Sequence, residues 1–214
     1  RTAAMLEWMI YPLLGVLVGI IAGLLGIGGG VVVVPILIFV FTAQGFSAQH
    51  MMQLALATSL GSIVFTSVAS FMTHHRHGAV RWDIVKGITL GILIGTFSGT
   101  WFAAQLSTQS LKIFFAIFLY YVAATMLSNF KPKPTRQLPG ILGINGVGVV
   151  IGVISSLVGI GGGALSIPFM MWCNVPVHHA IGTSAAIGFP IAVAGTLGYI
   201  INGLSVTDLP TPHL

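Results

Sequence analysis

Two glycine clusters are the residues of this 214-residue sequence most suited to binding chemistry. Gly26–Gly30 precedes Pro35, and Gly159–Gly163 precedes Pro168. Four glycines in five positions disfavour a continuous helix. A helix that begins after such a cluster presents unpaired N–H groups and the positive end of its dipole, an arrangement that binds anions. We therefore expect the main-chain amides of six glycines to contact an anionic ligand: Gly28, Gly29, Gly30, Gly161, Gly162 and Gly163. The alternative is close helix packing through glycine.

Two Thr-Ser dipeptides (the Thr-Ser steps) form the second candidate motif. Thr58-Ser59 and Thr183-Ser184 follow the two glycine clusters at similar distances. Their hydroxyls can donate hydrogen bonds to an oxyanion without bringing a charge into an apolar region. A helical stripe continues from the first step through Ser59, Ser62, Thr66, Ser70 and Thr73. The stripe either lines a permeation path or bonds back to its own helix.

Ionisable residues are few, and their positions limit the kinds of substrate that the protein could bind. Glu7, Asp83 and Asp208 are the only acids, and all lie at or outside the ends of the apolar segments. Carriers of cations usually place carboxylates inside the membrane, so this distribution favours a negatively charged substrate. His74, Arg76 and His178 are candidates for a gate or for proton coupling, with solvated interfacial residues as the alternative. Adjacent histidines do not share a helical face, and we expect no metal site and no cofactor.

The elements that position these motifs are membrane-spanning helices. The sequence is 56% hydrophobic and 5% charged, whereas soluble domains are about 25% charged. Apolar stretches long enough to cross a bilayer recur along the chain, and no nucleophile–histidine–acid set can be assembled within them, so we expect no enzyme. The fold class is an all-α polytopic membrane protein. We predict segments at 10–27, 31–42, 54–73, 84–104, 111–128, 140–158, 164–174 and 180–201. Of these, 31–42 and 164–174 are too short to cross alone and indicate broken or re-entrant helices. The glycines at positions 87, 91, 95 and 99 favour helix packing.

An internal repeat organises these segments. The second glycine cluster lies 133 residues after the first, and Thr183-Ser184 lies 125 residues after Thr58-Ser59. We predict a first transmembrane repeat at 1–130, a cytoplasmic linker at 131–139 and a second repeat at 140–214. Basic residues cluster at 76–86 and in the linker, as cytoplasmic loops do, which also explains the net charge of +5 without nucleic acid. The loop after residue 201 lacks basic residues, which favours an inverted membrane orientation of the second repeat relative to the first. At this repeat offset, the last two spans of the first repeat have no counterpart in the second. This predicts about 39 further residues with two more spans in the native protein.

The flanks of the glycine clusters carry a family resemblance. Gly23–Gly30 with Pro35, and Leu157–Ala164 with Pro168, resemble the signature of the TauE/SafE sulfite exporter family. The Ala-Thr-Ser and Gly-Thr-Ser steps fit as well. This resemblance implies a permease of the bacterial inner membrane that moves sulfite, sulfoacetate or a related organosulfonate. The two related halves predict that it does so by alternating access, with a homodimer left open. The alternative from another class is a non-transporting membrane factor that assists assembly of a respiratory or metal enzyme.

Overall fold

Seven helices make up the described part of the chain. The computed structural model describes residues 15–16, 29–128 and 136–204. We number the helices in chain order: α1 Gly30–Ala43, α2 Met51–Arg76, α3 Trp82–Gln105, α4 Thr108–Leu127, α5 Ile141–Val158, α6 Gly163–Trp172 and α7 Val177–Gly203. No strand occurs within these ranges.

Five of these helices are long and apolar enough to cross a membrane: α2, α3, α4, α5 and α7. The other two, α1 and α6, have 14 and 10 residues, and each contains a proline. The predicted all-helical membrane fold is therefore confirmed, and the two short segments begin directly after their glycine clusters. The predicted span 10–27 lies outside the described residues except for positions 15 and 16, which are helical.

Glycine brings α3 and α5 into close backbone contact. A Cβ added to Gly91 would lie 2.0 Å from the carbonyl oxygen of Asn145, and one added to Gly95 would lie 2.1 Å from that of Val149. One turn further on, a Cβ on Gly99 would meet the Ser156 hydroxyl at 2.1 Å. Any larger side chain would push the helices apart, so the packing role predicted for this four-residue ladder is confirmed.

The long helix α7 packs against both α2 and α3. Gly198 lies against the Thr100 side chain of α3, and Gly195 lies against Leu60 of α2. The buried Tyr199 hydroxyl donates to the Ser156 carbonyl at 2.8 Å and so joins α7 to α5. This arrangement places the two Thr-Ser steps on α2 and α7, the two helices that flank the glycine clusters. The two-repeat organisation and the inversion of the halves stay predictions.

Candidate functional site

The second glycine cluster forms a sharp break between α5 and α6. Helix α5 ends at Val158, and Gly159 follows in the left-handed conformation with φ of 73°. Gly162, with φ of 80°, is also left-handed and directly precedes α6. A residue with a Cβ avoids this region, so glycine is required at both positions. The chain therefore turns twice within four residues and restarts as a short helix.

The break leaves a set of main-chain amides without protein acceptors. The amides of Gly159 and Ile160 both donate to the Ser155 carbonyl, at 2.8 and 3.1 Å. At the start of α6, the amides of Leu165 and Ser166 donate to the Gly162 carbonyl. Between these two pairs, no acceptor within the described ranges binds the amides of residues 161–164. A membrane interior makes unpaired amides costly, so a group that accepts hydrogen bonds fits at this position.

Hydroxyl groups line the same end of α6. Ser184 of α7 is 5% exposed, and its Oγ lies 3.5 Å from the position that a Cβ on Gly163 would take. The Ser166 hydroxyl donates to this Ser184 oxygen at 2.8 Å. Ser184 accepts that bond and keeps its own proton for donation. The structure thus brings together Gly161, Gly162, Gly163 and Ser184 from the predicted set.

Thr183 lies next to Ser184 in sequence but faces a different neighbour. It is fully buried, and its Oγ1 accepts a hydrogen bond from the Arg81 amide at 2.9 Å. Arg81 directly precedes α3, so this hydroxyl anchors the start of α3 rather than the amide-rich break. The structure gives Thr183 an architectural contact.

The last glycine of the first cluster packs directly against the second cluster. Gly30 begins α1 and lies so close to the second break that an added Cβ would sit 2.0 Å from the Gly159 carbonyl oxygen. The buried Ser59 hydroxyl donates to this same carbonyl at 2.8 Å. Gly29 precedes α1 in an ordinary right-handed conformation, and Gly28 lies outside the described residues. At Gly30 the described end of the first cluster therefore touches the second cluster.

Thr58 and the part of the polar stripe that follows the buried Ser59 are exposed on α2. Thr58 is exposed, whereas its counterpart Thr183 is buried. Ser62, Thr66 and Thr73 are exposed too, and each hydroxyl donates to a carbonyl of its own helix. These bonds satisfy the hydroxyls within α2, which supports the alternative that the stripe bonds back to its own helix.

The candidate gate residues lie at helix ends, away from the break. Arg76 is the last residue of α2 and is exposed, and His74 lies two residues earlier, in the same last turn, and is partly exposed. His178 is exposed at the start of α7, and its neighbour His179 has Nδ1 3.1 Å from the Ala79 carbonyl oxygen. The structure does not connect these residues with the amide-rich break.

An apolar cavity of about 380 Å³ opens between α2, α3 and α7. Its lining is dominated by aromatic and aliphatic side chains, including Phe71, Trp82, Phe189 and Pro190. Thr89 is the one hydroxyl residue of the lining, and its Oγ1 donates to the Val85 carbonyl. The surface of this cavity is unsuited to an anion.

Three residues of the site were not singled out by the sequence patterns: Ser155, Gly159 and Ser166. Gly159 was treated as one member of a cluster, although its left-handed φ and its contact with Gly30 distinguish it. Ser155 and Ser166 lie within four residues of the cluster on either side, and this proximity is the signal that points to them.

Comparisons with known proteins agree on one family. The family model described as sulfite exporter TauE/SafE matches residues 11–212. A probable membrane transporter protein of Haemophilus influenzae is 33% identical over 89% of this chain and 73% of its own length. A probable membrane transporter protein of Methanocaldococcus jannaschii is 31% identical over 90% of this chain and 73% of its own length. The probable membrane transporter protein YunE of Bacillus subtilis is 26% identical, with 92% and 80% covered. No solved structure matches the chain.

Proposed function

This chain belongs to the TauE/SafE sulfite exporter family of membrane transporters, and we propose that it exports a small sulfur-containing anion across the bacterial inner membrane by alternating access. Sulfite, sulfoacetate and related organosulfonates are the substrate class. Each carries several oxygens that accept hydrogen bonds and at least one negative charge. The proposal combines the family membership with the chemistry of the break between α5 and α6.

The observation that carries the proposal is the run of amides at residues 161–164 that lack acceptors in the described part of the chain. These groups only donate, so they select a ligand rich in acceptor oxygens. They also lie at the positive end of the α6 dipole, which favours negative charge. Neutral donors bind an anion without the strong ion pair that would hold it permanently. Such moderate binding suits a carrier, which must release its substrate on the other side.

The position of the break supports alternating access. Interrupted helices at the centre of paired segments are typical of secondary transporters, in which one bundle rocks against another around the binding site. Here the site lies where α6 meets α7, and the Gly30–Gly159 contact connects it to α1. A movement of α1 or α6 would change the access to the amides.

Transport of sulfite into proteoliposomes tests the proposal directly. We expect the purified protein to accumulate sulfite above protein-free vesicles. Ser184→Ala should weaken uptake about tenfold, since a hydrogen bond to a charged group contributes roughly 1.5–3 kcal/mol. Ser62→Ala is the matched control, because Ser62 is exposed and bonds only to its own helix. If the intact protein moves neither sulfite nor sulfoacetate, the proposed function is wrong.

A further inference from the structure

We propose that the oxyanion is held at the second glycine break alone, and that Ser155 is a binding residue there. This inference rests on the proposed function and deepens it. The sequence pattern treats the two glycine clusters as equivalent halves of one site. The side chains around them are not equivalent, and the difference assigns the ligand to one side.

The first observation is a buried hydroxyl without a partner. Ser155 is fully buried in the last turn of α5, and its Oγ forms no hydrogen bond. This oxygen lies 3.5 Å from the position that a Cβ on Gly162 would take. It is therefore aimed at the turn whose amides also lack acceptors. A buried hydroxyl without a partner destabilises the fold, and a bound ligand that pairs with it would remove this cost.

The second observation concerns the kind of ligand. A serine hydroxyl can donate or accept, so Ser155 alone does not discriminate between an anion and a cation. The amides of residues 161–164 can only donate, and the Ser184 hydroxyl already accepts a hydrogen bond from Ser166. The other contacts at Gly162 are the apolar side chains of Ile191 and Ile151, so the polar groups of the break are donors and the ligand must supply the acceptors. The structure thus assigns Ser155 as a donor to one oxygen of a bound oxyanion.

The third observation is that the first break lacks these groups. At the repeat offset of 133, Ser155 and Ser166 correspond to Ala22 and Val33, neither of which has a hydroxyl. Ser59, the counterpart of Ser184, already donates its proton to the Gly159 carbonyl. Gly30 lies against that same carbonyl and leaves no room for a ligand there. The described end of the first break therefore supports the second break, and we assign the anion to the second.

Two variants at neighbouring positions test this inference. Ser155→Ala removes the unpartnered hydroxyl, and Ser156→Ala removes a hydroxyl that is equally buried but donates to the Val153 carbonyl at 2.8 Å. Both proteins are reconstituted, and sulfite uptake is measured against concentration. We expect Ser155→Ala to raise the KM for sulfite about tenfold or more and Ser156→Ala to leave it within about twofold.

Thermal unfolding in detergent distinguishes a ligand-binding role of Ser155 from a purely structural one. Without sulfite, Ser155→Ala should unfold at the same temperature as the unmodified protein or higher, because no bond is lost. With sulfite, the unmodified protein should gain stability and Ser155→Ala should gain much less. Equal KM values and equal ligand stabilisation for both proteins would overturn the role of Ser155 while the proposed function stands. If the unmodified protein neither transports nor is stabilised by sulfite, the proposed function falls first and this inference with it.

Discussion

The two glycine breaks contain the same five-residue motif, but the structure uses them differently. At the first break, Gly30 allows α1 to approach the Gly159 carbonyl, and Ser59 satisfies that carbonyl. At the second break, two left-handed glycines open the backbone and leave amides beside buried hydroxyls. A glycine can serve a fold by its small size or by its free backbone. Here Gly30 of the first copy is needed for its small size, whereas the second copy leaves N–H groups without acceptors in the described part of the chain.

The largest expected effect is on folding, at the first break. In Gly30→Ala the new methyl group would lie 2.0 Å from the Gly159 carbonyl oxygen and 2.9 Å from the Ile160 Cα. Both are backbone atoms and cannot turn aside, so we expect a loss of about 3 kcal/mol in unfolding free energy. The measurement is thermal unfolding in detergent, together with the yield of folded protein.

Gly146→Ala provides the control for this substitution. Gly146 lies inside α5, and nothing approaches within 4 Å of an added Cβ. Alanine should be neutral there or stabilise the helix by about 0.5–1 kcal/mol. A Gly30→Ala protein as stable as the control would show that the two breaks do not touch.

The next effect is on transport, at the second break. Gly163 is the first residue of α6, and an added Cβ would meet the Ser184 hydroxyl at an ordinary 3.5 Å. Gly163→Ala should fold normally and gain up to about 1 kcal/mol of stability. The methyl group would nevertheless occupy the space between the amides and Ser184, so sulfite uptake should fall about tenfold. Proteoliposome uptake and thermal unfolding, measured on one preparation, separate these effects. Unchanged uptake would place the ligand elsewhere.

The smallest effect sharpens the comparison between the two Thr-Ser steps. Thr183→Val removes the acceptor of the Arg81 amide, and we expect a loss of about 1 kcal/mol in unfolding free energy. Thr58→Val changes an exposed residue and should alter stability by less than about 0.5 kcal/mol. If Thr58→Val lost as much stability as Thr183→Val, the comparison would be wrong, because Thr58 would then be as well packed as Thr183.

Much of the fold could be predicted because its causes are local. Apolar stretches of membrane length produced α2, α3, α4, α5 and α7 within a few residues of their predicted bounds. The glycine clusters predicted where α1 and α6 begin, because a helix cannot readily continue through four glycines. The ladder from Gly91 to Gly99 predicted helix packing because four-residue spacing places glycines on one face.

The site was predicted only in part. Gly161, Gly162, Gly163 and Ser184 lie together as expected, whereas Ser59 and Thr183 form internal contacts and Thr58 is exposed. The sequence shows which residues carry a hydroxyl group, but it does not show which group each hydroxyl bonds to. The partner depends on which helices meet, and residues 100 or more positions apart formed two of these bonds.

The sequence by itself therefore determined a helical membrane transporter with two interrupted segments and neutral hydrogen-bond donors near each. Composition, spacing and glycine content are sufficient for the helical part of this, because a continuous apolar stretch of spanning length satisfies its own backbone groups in a bilayer by forming a helix; the transporter family follows from the motifs that the glycine clusters share with it. Only the tertiary structure decided that Gly30 lies against the Gly159 carbonyl and that the amides of residues 161–164 lack acceptors in the described part of the chain. That decision depends on contacts of a few ångströms between α1, α2 and the end of α5, and no local pattern encodes the distance between separate helices.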